Sequence, residues 1–79
     1  MVWTTIIWDD MGGGNVEHIA EHGLTREDVD YLLSTFDEMD RSRSSENLIV
    51  FGWIGGRRIA VVVEEIDDDT VYPVTAYEV

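Results

Sequence analysis

His18-Ile19-Ala20-Glu21-His22 sets two imidazoles one helical turn apart with a carboxylate between them. Side chains at i and i+4 share a helix face, so the pair could grip zinc while Glu21 served as base, as in the H-x-x-E-H pattern of inverted zinc peptidases. The helix around them is barely two turns and no third ligand stands out, so the favoured reading is two exposed helix histidines, with no metal and no cofactor. Asp67-Asp68-Asp69 offers oxygen atoms to a hard cation, but it lacks the spaced ligands of a calcium loop and reads as a solvated turn. Gly12-Gly13-Gly14 before a helix has the composition of a phosphate cradle. Two aspartates precede it and no lysine follows, which argues against one. No serine sits in a nucleophile motif, and no carboxylate pair has a separation that can be argued.

The elements that must position these groups follow from pattern and punctuation. Residues 2–8 are β-branched and aromatic and predict a first strand. Asp9 to Gly14 is a loop. Asn15 is an expected N-cap for a short helix with Val16, Ile19 and Ala20 on one face, ended by Gly23. Thr25 with Asp28 forms a capping-box variant for a second helix. Its stripe, Val29, Leu32, Leu33 and Phe36, follows the i, i+3, i+4, i+7 rule. Asp37 to Glu46 is polar and predicts a loop. Leu48–Ile54 and Arg57–Glu65 are strands joined by a Gly55-Gly56 hairpin turn. Thr70–Tyr77 is the last strand. The expectation is one α+β domain over residues 1–79, ordered β-α-α-β-β-β, with two helices packed on one face of an antiparallel sheet.

Suppose that Ile54 pairs with Arg57 and Glu65 with Thr70. Residues opposite each other share a face. Leu48, Val50, Ile54, Ile59, Val61, Val63, Tyr72, Val74 and Ala76 then form the core side. Ile49, Phe51, Trp53, Arg58, Ala60, Val62, Pro73, Thr75 and Tyr77 form the other, which is too apolar for a face that meets only water. On it Trp53, Arg58 and Tyr77 fall in one row, where an arginine between rings can stack by cation–π contact. The row reads either as a surface ladder or as a platform for a base, a phosphate or a partner's side chain. Arg41 and Arg43 belong to the far end of this sheet, about 30 Å from Arg57 and Arg58 at ~3.3 Å per residue. A one-residue slip would exchange the two faces.

Composition sets the partners. Seventeen acids face five bases, all arginine, for a net charge of -12. Such a surface repels nucleic acid, whose binding is driven by phosphate neutralisation. At ~1 M salt the Debye length falls to ~3 Å and the repulsion fades. Acid-rich, lysine-free composition is that expected of a salt-adapted protein. No cysteine is present, so neither disulfides nor thiolate chemistry enter. No apolar run approaches the ~18 residues of a membrane span, and Asp9 and Asp10 interrupt any signal-like start, so a cytoplasmic, membrane-free protein is expected. A chain of 79 residues buries only about 60% of its unfolded surface, enough for one modest core.

Trp8-Asp9 after the first strand, Asn15 to Thr25 with its His22-Gly23 turn, Phe51-Gly52, Val61-Val62-Val63 and the terminal Val74-Thr75-Ala76 resemble the BrnT family over nearly the whole chain. The resemblance implies a RelE-like ribonuclease fold, the role of toxin in a type II toxin–antitoxin pair, and a cognate DNA-binding antitoxin as partner. It also implies that the open sheet face meets RNA, without a metal. Where the family commonly has a basic residue before His-Gly, this chain has Glu21. Where its last strand runs Ser-Ala-Arg, the matching residues are Thr75, Ala76 and Tyr77. Ribonucleases of this kind offset phosphate charge during 2′-OH attack, a task for Arg, Lys or His. Arg58 and Tyr77 are therefore the candidate catalytic pair, with Phe51, Trp53, Arg41, Arg43 and His22 as candidate RNA or partner contacts. The alternative expectation is a non-catalytic interaction domain that dimerises, or holds a protein, through the same face.

Overall fold

In the computed structural model, which describes residues 3–41 and 47–79, the chain runs β1 (Thr5–Ile6), α1 (Asn15–Ala20), α2 (Arg26–Thr35), β2 (Glu38–Arg41), β3 (Leu48–Ile54), β4 (Arg57–Glu65) and β5 (Thr70–Glu78). The sheet order is β1-β5-β4-β3-β2. β1 lies parallel to β5 and the other neighbours are antiparallel. The α+β class stands, with two corrections: the sheet is mixed, and β2 adds a strand where a loop was expected. β2 carries no apolar alternation because all four residues are exposed. Its extended state comes from the free edge of β3, which pairs with it from Glu38 opposite Phe51 to Arg41 opposite Leu48.

Local signals fix the helices. Thr25 Oγ1 accepts from the Asp28 N–H at 3.1 Å and Asp28 Oδ2 from the Thr25 N–H at 3.0 Å, completing the capping box that starts α2. Val29, Leu32 and Leu33 are buried, with Phe36 packed against them. α2 sits directly on β3 at Gly52, where an added Cβ would meet Leu32 Cγ at 2.9 Å. α1 ends in a Schellman motif: Leu24 N–H donates to Ile19 O and Gly23 N–H to Ala20 O. Ile19 and Leu24 both enter the core beneath it. That core joins both helices to Leu48, Val50, Ile59, Val61, Val63, Val71 and Ala76 of one sheet face, with Trp3 at its margin.

Asn15 does not cap α1 as expected. Gly14 holds the cap position, and the Asn15 side chain turns inward, 2% exposed. Its Nδ2 donates to Ile7 O at 3.0 Å and to Pro73 O at 2.9 Å, while its Oδ1 accepts from the Asp9 N–H at 2.8 Å. One amide thus joins the end of the first segment, the start of α1 and the middle of β5.

The turn of Gly55 and Gly56, at φ 56° and 82°, has the type I′ backbone that suits strand twist. It sets Ile54 opposite Arg57 and Trp53 opposite Arg58, as expected. The register of β5 differs. Ile66 N–H donates to Thr70 O and Asp69 N–H to Asp67 Oδ1, which places Glu65 opposite Val71 and not Thr70. Val71 and Pro73 therefore enter the core, and Tyr72, expected inside, leaves it. Between Val62 and Val63 the ladder shifts again: Val63 faces Pro73, Val62 faces Thr75, and Val74 is left over as a bulge. Proline has no N–H to give the ladder, which is why the slip falls there. The second displacement restores the alternation, so Ala76 is buried and Thr75 and Tyr77 lie on the open side.

Asn15→Ala should lower the unfolding free energy by about 2–4 kcal/mol in urea titration, because it orphans buried backbone groups at ~1–3 kcal/mol each. Asn15→Asp should cost a similar amount, since a carboxylate cannot donate to the two carbonyls. Gly52→Ala should cost about 1–3 kcal/mol by overpacking against Leu32, read in the same titration.

Candidate interaction face

The register defines the face opposite the helices. Glu38 and Asp40 of β2, Ile49, Phe51 and Trp53 of β3, Arg58, Ala60, Val62 and Glu64 of β4, and Tyr72, Thr75 and Tyr77 of β5 share it. Ile49, Phe51, Val62, Thr75 and Tyr77 are half-buried, and Trp53 is 53% exposed. The apolar centre is therefore half-covered, with Ala60 fully buried within it, and Glu38, Asp40 and Glu64 are exposed around it.

Arg58 is the one arginine among the described residues that lies on this face, and it is fully engaged. Its guanidinium carbon sits 5.2 Å from the centroid of the Trp53 ring and 5.7 Å from that of Phe51. Nη1 donates to both carboxylate oxygens of Asp37, at 2.9 and 3.0 Å, and Nη2 to Glu38 Oε1 at 3.0 Å. Neither acid was expected at the site, because both fall in the segment read as a loop. The side chain is 22% exposed against 53% and 63% for its partners, so the cation is the covered member of the cluster.

Tyr77 is not in that row. It stands opposite Ala60, while Val79 donates its N–H to Arg58 O. Tyr77 is thus a diagonal neighbour of Arg58, for which ~7–8 Å is typical, and the guanidinium is drawn to the other side, toward β3 and β2. The ring of Tyr77 lies 6.5 Å from that of His22, which lies 6.1 Å from that of His18. The expected catalytic pair is therefore divided between two clusters, one around Arg58 and one where α1 meets β5. His18 also borders a cleft of about 240 Å³ with Gly13, Gly14, Asn15, Tyr72 and Val74.

The other arginines are placed apart. Arg41 ends β2 opposite Leu48, five residues along and two strands across from Arg58, or roughly 19 Å at ~3.3 Å per residue and ~4.8 Å per strand, short of the expected separation. It borders a cleft of about 510 Å³ with Asn47, Glu64 and Glu65. Arg43 lies outside the described residues. Arg57 pairs with Glu78 at 3.2 Å, and Arg26 lies over the Trp8 ring at 5.6 Å. Among the described residues, no three His, Cys, Asp or Glu side chains gather as a metal site. No described helix is long and apolar enough to cross a membrane.

The chain matches no protein-family model, no curated protein and no solved structure.

Arg58→Ala should cost roughly 0.5–2 kcal/mol of stability, the range for a stacked and partly exposed paired cation. That penalty should shrink as sodium chloride rises from about 0.05 M to about 1 M, because the carboxylates are screened. A penalty independent of salt would place the whole effect in the contacts with Trp53 and Phe51.

Proposed function

We propose that this chain is a BrnT-like, RelE-fold component of a type II toxin–antitoxin pair, and that its open sheet face seats a protein partner without cleaving RNA. The resemblance of the chain from Trp8 to Ala76 supports the family, and a face built on β3, β4 and β5 opposite two helices is the surface such a fold uses. The carrying observation is the clamping of Arg58 by Asp37 and Glu38. Cleavage by 2′-OH attack needs a cation free to offset charge on the phosphate. Arg58 would have to leave two carboxylates to supply one, and the last strand holds Tyr77 at the position matching the family's arginine. An RNA backbone would also meet Asp40 and Glu64 on the same face. A second copy is a poorer occupant, since it would bring an equally acidic surface against this one.

RNA incubated with the purified protein should stay intact at low and at molar salt. Co-expression with the product of a neighbouring reading frame that encodes a small DNA-binding protein should yield a stable complex. Trp53→Ala should weaken that complex at least about tenfold, as removal of an aromatic anchor does. RNA cleavage that disappears in Arg58→Ala or Tyr77→Ala would overturn the non-cleaving assignment. A neighbour that fails to bind, with the protein dimeric on its own, would overturn the pairing.

A further inference from the structure

We infer that the occupant of the open face is a basic, amphipathic segment whose two cationic side chains seat at Asp40 and Glu64, with apolar side chains between them. The inference rests on the reading of this face as a protein-docking surface, and adds the chemistry of what docks.

The face already contains one example of how it takes a cation. Around Arg58, aromatic rings of β3 carry the guanidinium while acids from the β2 side bind its N–H groups. Asp40 and Glu64 lie on the same face, and neither is paired with a cationic side chain among the described residues. Asp40 stands opposite Ile49, and its carboxylate accepts from the neighbouring Arg41 N–H. Glu64 stands opposite Tyr72, is exposed, and has no side-chain partner among the described residues. Arg41 shares the cleft at the Asn47 side of Glu64, so the approach left to a second cation is from Tyr72. An ammonium or guanidinium there would meet a carboxylate beside a phenol ring, a pairing favoured by charge and by the ring's negative face.

The geometry limits the segment. Asp40 and Glu64 are two strands apart, ~9.6 Å, and two residues offset along the strand, ~6.6 Å, which puts their Cα atoms roughly 12 Å from each other. Basic residues at i and i+4 of an extended segment span ~13 Å and point the same way. The residue between them, at i+2, then falls beside the half-buried Ile49, on its Asn47 side, with Val62 one strand further on. Among the described residues, Asp37, Glu38, Asp40, Glu64 and Glu65 outweigh Arg58 and Arg41 here, within a chain of net charge -12, so the field favours a cationic segment and opposes nucleic acid or a second copy.

The test uses the full chain, labelled with ¹⁵N, and a synthetic extended peptide with arginines four residues apart and valine between them. Two controls replace the arginines by glutamate or the valine by serine. The basic apolar peptide should shift the Ile49 and Val62 amides. Its affinity should fall at least about tenfold from ~0.05 M to ~0.5 M salt, and at least about fivefold in Asp40→Asn and in Glu64→Gln. Asp30→Asn, on α2 behind the sheet, should leave it unchanged. Equal binding of the glutamate peptide, equal binding of the serine peptide, or shifts confined to other surfaces would each overturn the inference. Peptide binding with no complex to the neighbouring gene product would sink the toxin–antitoxin reading alone. A complex of undiminished affinity in both Asp40→Asn and Glu64→Gln would sink this inference alone.

Discussion

The buried amide of Asn15 is the interaction on which the arrangement depends. Proline at position 73 cannot donate to the ladder, so β5 must slip there, and a slipped strand leaves a carbonyl to be satisfied. Asn15 donates to that carbonyl and to Ile7 O, and its own oxygen receives the Asp9 N–H. One side chain thereby fixes the bulge, the entry to α1 and the exit from β1. From the bulge follows which β5 residues face inward, and from the placement of α1 follows that His22 meets Tyr77. The two clusters of the open side are separate because this junction makes them so.

What was legible in the chain is what local chemistry decides. The Thr25–Asp28 box, the α2 stripe and the Gly55-Gly56 turn each rest on a few neighbouring residues, and each gives the expected structure. The pairing of Trp53 with Arg58 follows from that turn alone. The register of β5 was not legible from alternation, because two one-residue displacements, at Ile66–Asp69 and at Val74, cancel in parity while moving Tyr77 two residues along its neighbour. Pro73 was the available signal, since a proline inside a strand paired on that side demands a bulge. β2 carried no such signal: four exposed residues become a strand only because β3 has an edge to offer. With β2 read as a loop, Asp37 and Glu38 could not be seen as partners of Arg58. The site's arginine was thus visible in the sequence, and its neutralisation was not.

That neutralisation decides how the face can act. An exposed ion pair contributes only ~0.2–1 kcal/mol, so neither acid alone would hold Arg58 against a competing phosphate. The bonds from Nη1 to both Asp37 oxygens, a further bond from Nη2 to Glu38 and stacking on Trp53 and Phe51 act together, and the cluster fixes one geometry. The cation that remains visible to a partner is therefore already matched. Among the described residues, the charged groups on the face left without an opposite charge are carboxylates.

Salt separates the two contributions that the face can make. At low ionic strength the acidic rim acts over ~10 Å and selects by sign, favouring cationic segments before contact. Near 1 M salt that reach falls to ~3 Å. Only charges brought into contact still count, while the burial of Ile49, Phe51, Trp53 and Val62 is not screened. A partner suited to such conditions must therefore place its cations directly on Asp40 and Glu64 and fill the apolar centre. A diffuse positive charge would lose its hold.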